Sequence, residues 1–270
     1  MMARLRTLFA FGLVLGAVAL ALFASIVAPS DPFKGGANAL LPPGTAGFVL
    51  GSDHLGRDIL SELIFGARVS LAVGISAALS ASFLGIIVGS LAGFFGGWVD
   101  SVLMRLSEFF QTLPRFVLAL VIVAFFGGGV LKVIIVLAIL SWPQIARLVR
   151  AQILSLREAT FVDAARLSGM NSAVIIVREI LPNALAPVIV YGSLDIASAI
   201  LLEASLSFFG LGDANLVSWG GMLNVAQPYL RQAWWMAVFP GIAISLVVLS
   251  FNILGDALND ALNPRLQETA

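Results

Sequence analysis

Residues 160–182 read TFVDAARLSGMNSAVIIVREILP, the longest mixed polar segment between two strongly apolar blocks. Its apolar residues recur at helical spacing on either side of Gly169, which predicts two short amphipathic helices broken at that glycine. Asn171 or Ser172 is placed to cap the second helix, which is expected to end before Pro182. A short helix with small residues and two charges, Asp163 and Arg166, suits insertion into another protein's groove. An ordinary loop between two helices has the same look, so at this point both readings stand.

The blocks on either side decide the fold class. The chain has 270 residues, of which 60% are hydrophobic and 11% charged, with a mean hydropathy of +1.02. A soluble domain carries about 45–50% apolar and about 25% charged residues. The long apolar runs predict an all-α membrane protein and not a β-barrel, whose strands alternate in short segments. A net charge of zero gives nothing to attract nucleic acid. Cysteine is absent, which excludes disulfides, thiolate catalysis and cysteine metal sites.

Six spans are predicted, at about 8–28, 70–93, 101–128, 131–149, 184–207 and 233–255. The first follows Arg4 and Arg6 but is too long for a cleaved signal and is read as an uncleaved helix. With the N-terminus inside, the inner segments hold ten arginines: 4, 6, 105, 115, 147, 150, 157, 166, 178 and 265. The outer segments hold five cations, Lys34, Arg57, Arg68, Lys132 and Arg231. That bias places both termini and residues 160–182 in the cytoplasm. One membrane domain is expected: an N-terminal helix in 1–28, an outer loop at 29–69 and a core over 70–265 that contains the cytoplasmic loop 150–183.

The outer loop ends in SDHLGRDILSELIFGAR, whose Leu55, Ile59, Leu60, Leu63, Ile64 and Ala67 share one face. A helix lying at the outer interface and feeding the second span is expected there. Gly85, Gly89 and Gly93 repeat every four residues in the second span, a pattern that lets another helix approach closely. Pro114 is expected to kink the third span, and the Gly-rich segment 208–232 to fold back over the mouth of a path.

No GxxxxGK[ST] occurs, so this chain lacks the phosphate-cradling loop of an ATPase. Gly210-Leu211-Gly212 lacks the third glycine of a dinucleotide fingerprint. His54, the one histidine, is expected to be a surface or capping residue and cannot build a multi-histidine metal site. No Ser/His/Asp or paired-carboxylate constellation marks an enzyme, and no cofactor is implied. Asp195 and Glu203, inside the fifth span, are candidates to line a path and attract a cation, or else to pair with a partner's arginine.

The run Asp163-Ala164-Ala165, then Gly169 and Leu181-Pro182, resembles the EAA motif of ABC-importer permeases, with Asp163 where the motif has Glu. Six further stretches, LGSDHLGRDILSELIFGARVSL, GFFGGWVDSVLMRLSEFFQTLP, SWPQIARLVR, EASLSFFGLG, SWGGML and FPGIAISLVVLSFNILGDALNDALNPR, are similar to the C-type permeases of the dipeptide/oligopeptide/nickel branch. The resemblance implies a six-helix type I importer permease of the bacterial inner membrane that forms half of a path for di- and oligopeptides. It implies a second, B-type permease as heterodimer partner, two cytoplasmic ATPase subunits that hydrolyse the ATP, and an extracytoplasmic substrate-binding protein. Phe161, Asp163, Ala164, Ala165, Arg166, Gly169, Leu181 and Pro182 then fall in the helix that couples to the ATPases. An ion-coupled secondary carrier is the rival reading, expected to show internal repeats and several buried carboxylates.

Overall fold

The first helix, α1 (Met2–Leu22), presents small residues to the protein and large ones outward. Ala10 and Ala21 are buried, while Leu5, Leu8, Phe9, Phe11 and Leu15 are exposed. In water this would be inverted; in a bilayer it is the expected arrangement, because lipid tails solvate leucine as well as a core does. After Phe23 a short α2 (Ala24–Val27) ends the segment. The computed structural model describes residues 2–45 and 47–262; Asn263, Pro264 and Arg265, the last of the inner charges, lie outside the described residues.

Residues 28–58 are irregular but pinned. The Ser52 hydroxyl donates to Asn38 O at 2.5 Å and accepts from Leu41 N–H at 2.9 Å, and Trp235 Nε1 donates to Ser52 O at 3.1 Å. Asp53 accepts the N–H groups of Leu55 and Arg57 at 2.8 and 2.7 Å and pairs with the Arg57 guanidinium. His54 stacks on Tyr229 with ring centroids 5.1 Å apart.

Asp58 caps α3 (Ile59–Phe95), accepting from Ser61 N–H at 2.9 Å and Ser61 Oγ at 2.6 Å. The expected interfacial helix is thus not separate: its turns are the first turns of a continuous 37-residue helix. At a rise of about 1.5 Å per residue it is about 55 Å long, well beyond a hydrocarbon core of about 30 Å. The reason lies in its polar face. Asp58, Ser61 and Glu62 are buried because the preceding loop covers them, with Ser30 N–H donating to Ser61 Oγ at 3.0 Å and Arg57 pairing with Glu62 at 3.2 Å.

The expected third span is broken outright. Helix α4 (Gly97–Gln111) and α5 (Arg115–Phe126) meet at 83° across residues 112–114. Pro114 has no N–H to donate and pushes Leu113 away from helical geometry. By contrast α6 (Val130–Leu156) runs unbroken through Pro143. Beyond it come α7 (Thr160–Leu167), α8 (Ser172–Val174), a π-turn at Ile175–Ile180, α9 (Leu181–Phe208), α10 (Trp219–Ala226) and α11 (Trp235–Leu262). Among the described residues five helices are long and apolar enough to cross a membrane, or six when the bent α4–α5 pair counts as one span. No strand occurs among the described residues.

Helix α6 is the centre. Its contact with α3 follows the glycine row: a Cβ at Gly85 would meet Ile145 at 2.6 Å, at Gly89 the Ala146 carbonyl at 2.4 Å, and at Gly93 the Arg150 carbonyl at 3.0 Å. Gly12 and Gly16 of α1 have nothing within 4 Å.

Candidate functional site

Helix α7 is seated by two side chains. Val162 and Ala165, three residues apart on one face, are buried in a cluster with Ile145, Val149 and Ile153 of α6, Ala81 of α3, and Ile175, Ile180 and Val188. The Arg166 guanidinium lies 5.8 Å from the centre of the Phe94 ring at the end of α3 and 3.3 Å from Asp163. The helix closes with Gly169 N–H donating to Arg166 O at 3.0 Å and Met170 N–H to Ala165 O at 3.2 Å. That paired closure needs a left-handed residue, and Gly169 has φ +78° with open space around it. Backbone conformation, not room, is what glycine supplies there.

The opposite face is open. Phe161, Asp163, Ala164, Arg166 and Leu167 are exposed, Leu167 at 90%. Asn171 caps α8, accepting from Val174 N–H at 2.9 Å. Met170, Val174 and Val177 continue the exposed apolar row along an open groove of about 490 Å³ lined by Asn171, Ala173, Val174, Val177 and Arg178. The second helix does not end before Pro182. Leu181 N–H reaches Ile176 O, five residues back, and the chain continues into α9 with Leu181 and Pro182 in its first turn. The sequence reading missed Leu167, Met170, Val174 and Val177; their apolar character was legible, but which face the protein covers was not.

Two clamps tie the neighbouring helix ends. Arg150 of α6 holds Asp100 of α4 through a two-pronged ion pair at 2.5 Å. Arg157 donates to the Gly93 carbonyl at 3.2 Å, where α3 ends.

Neither carboxylate of α9 opens onto the surface of this chain; Asp195 and Glu203 are each 3% exposed. Glu203 accepts from Ser207 Oγ at 2.7 Å and from Ser70 Oγ of α3 at 3.1 Å, and Ser70 Oγ in turn accepts Trp219 N–H of α10 at 3.3 Å. Trp219 Nε1 donates to Leu63 O at 2.9 Å. A Cβ at Gly66 would meet the Trp219 ring at 2.8 Å, and one at Gly220 the Ala204 carbonyl at 2.4 Å. The EASLSFFGLG and SWGGML stretches are thus two sides of one tight junction.

Asp195 pairs with Arg115 at 3.0 Å, inside this chain. Arg115 also donates to Ser141 Oγ of α6. This corrects the place of Arg115: it stands not with the charges at the α7 end but beside the middle of α9, just past the Pro114 break. Of the pair, Arg115 shows 22% of its side chain and Asp195 1%.

The long helices, the broken span and the exposed short helix between α6 and α9 form a membrane-spanning fold like that of ABC-importer permeases. Residues 81–268 match the family described as binding-protein-dependent transport system inner membrane component, and the chain belongs to that family. It is 42% identical over 257 residues to the di/tripeptide transport system permease protein DppC of Pseudomonas aeruginosa, across 93% of this chain and 85% of that protein. It is 43% identical over 219 residues to the glutathione transport system permease protein GsiD of Pectobacterium atrosepticum, across 81% and 73%. Among solved structures, the inward-facing MetNI methionine ABC transporter superposes with a TM-score of 0.62 at 18% identity, covering 75% of this chain and 96% of that one. The chain is a membrane-spanning permease subunit of an importer, and the rival reading as a secondary carrier falls away.

Proposed function

We propose that this subunit forms half of an inner-membrane path for short peptides and couples it to cytoplasmic ATPases through α7. The observation that carries the coupling role is the two-faced α7: Val162 and Ala165 join it to α3, α6 and α9, while Phe161, Ala164 and Leu167 are left open. A push on the open face therefore moves three long helices together, because a packed core transmits displacement and does not absorb it. Asp163 and Arg166 rim the contact, Gly169 ends the helix, and Leu181-Pro182 begin the element that receives the motion. The 42% identity to a di/tripeptide permease over 93% of the chain supports peptides as cargo. A B-type permease completes the path, two ATPases bind the α7 faces, and an extracytoplasmic binding protein delivers substrate. Glu203 holds the α3–α9–α10 junction and Gly85, Gly89 and Gly93 hold α3 against α6.

The test is reconstitution of the chain with the proposed second permease, ATPases and binding protein in proteoliposomes. Uptake of a labelled tripeptide is expected to require ATP and binding protein and to ignore a proton gradient. Uptake driven by the gradient without ATP sinks the reading.

A further inference from the structure

Polar side chains at the middle of membrane helices that are not covered by their own chain do not face lipid; they face a partner or an aqueous path. One such group exists here. Ser141 and Gln144 lie three apart near the middle of α6, Tyr191 and Asp195 four apart near the middle of α9, and the two pairs meet as rungs. Tyr191 Oη bonds Gln144 Oε1, and Arg115 bridges Asp195 to Ser141. Gln144 is exposed, Tyr191 is half-buried and Arg115 shows 22% of its side chain, whereas Ser141 and Asp195 are buried behind them. Arg115 Nε and Asp195 Oδ2 are buried without a hydrogen-bond partner. The open donors are a guanidinium N–H and the Gln144 amide NH₂, while the Tyr191 O–H is already given to Gln144 Oε1. The charge behind them is already matched, so the group attracts an acceptor without trapping it as a free arginine would.

We propose that Arg115 and Gln144 form a mid-membrane contact site for the terminal carboxylate and backbone carbonyls of a passing peptide, with Tyr191 orienting the Gln144 amide and Asp195 and Ser141 positioning Arg115. The proposal rests on the peptide-importer reading above. Arg115 Nη2 is committed to Asp195 and Ser141, so the exposed part of the guanidinium offers a carboxylate oxygen a single charge-assisted hydrogen bond.

In the reconstituted whole transporter, the binding protein is preloaded with trialanine or with trialanine amide, which removes its own selectivity from the comparison. Peptide imported per ATP hydrolysed is then measured. Arg115→Gln is expected to lower the acid-to-amide ratio about tenfold, and Arg115→Lys, which keeps the charge but loses the fork, to lower it less. An unchanged ratio in both overturns the proposal. Because Arg115 variants also disturb packing, a photo-crosslinking residue at the exposed position 144 gives a second measurement. It is expected to capture radiolabelled peptide during turnover, and the same residue at Leu79, exposed on α3, is not. Capture of the second permease or lipid alone at position 144 overturns the site. If the unmodified transporter imports neither peptide, the peptide reading itself has failed.

Discussion

Leu167 and Ala165 stand two residues apart on α7, one 90% exposed and the other 6%, and substitutions at them should fail in opposite ways. Leu167→Asp removes an open apolar contact and touches nothing in this chain. Capture of ATPase subunits in mild detergent is expected to fall severalfold while the thermal midpoint of the isolated permease holds. Ala165→Leu overpacks the seat at a cost of about 1–3 kcal/mol. The permease midpoint is expected to drop, and import per ATP to fall because α7 no longer moves rigidly with α6. At Asp195 the cost is electrostatic. Asp195→Asn leaves the Arg115 charge unmatched, a loss on the order of 3 kcal/mol for a buried pair. Adding Arg115→Gln is expected to restore part of the midpoint, and strict additivity of the two losses would show that they do not interact. Both titratable members of this pair were visible in the sequence. Their pairing was not, because Arg115 reads as a loop charge until the 83° break turns it inward.

At the scale of elements, α3 and α6 are the pair on which the rest leans. The glycine row showed in the sequence that something must come close; only the structure gives the surface that does, running from Ile145 past Ala146 and Val149 to Ile153. Gly89→Leu is expected to abolish the folded protein, because its Cβ alone would lie 2.4 Å from a backbone carbonyl that cannot move aside. Gly12→Leu, with nothing within 4 Å, is the matched control and should express normally; equal yields of the two would refute the packing argument. Hydropathy was enough to find the long helices, since their apolar runs have no other explanation. It misplaced the polar turns 59–69, whose Ser61 and Glu62 are covered by the loop before them, not by water. Covering by distant chain leaves no trace in local periodicity, and the same limit hid the continuity of residues 172–208 through the π-turn.

For the whole molecule, the orientation across the membrane joins the two ends into one mechanism. Moving Arg115 out of the inner set leaves nine cations against five, ten less one, so the bias toward an inner α7 end persists. The proposed coupling requires that orientation, since it needs the open face of α7 on the side where ATP is hydrolysed. The absence of native cysteine makes the question directly testable. Leu167→Cys and Lys34→Cys place single thiols on exposed residues at the α7 end and in the 28–58 loop. A membrane-impermeant maleimide is expected to label Leu167→Cys in inside-out vesicles but not in spheroplasts, and Lys34→Cys the other way round. Co-expression of the ATPase subunits should then slow labelling at position 167 and leave position 34 unaffected. Labelling of both thiols from one side would contradict the fold, and the reversed pattern would put α7 out of reach of ATP and end its role in coupling.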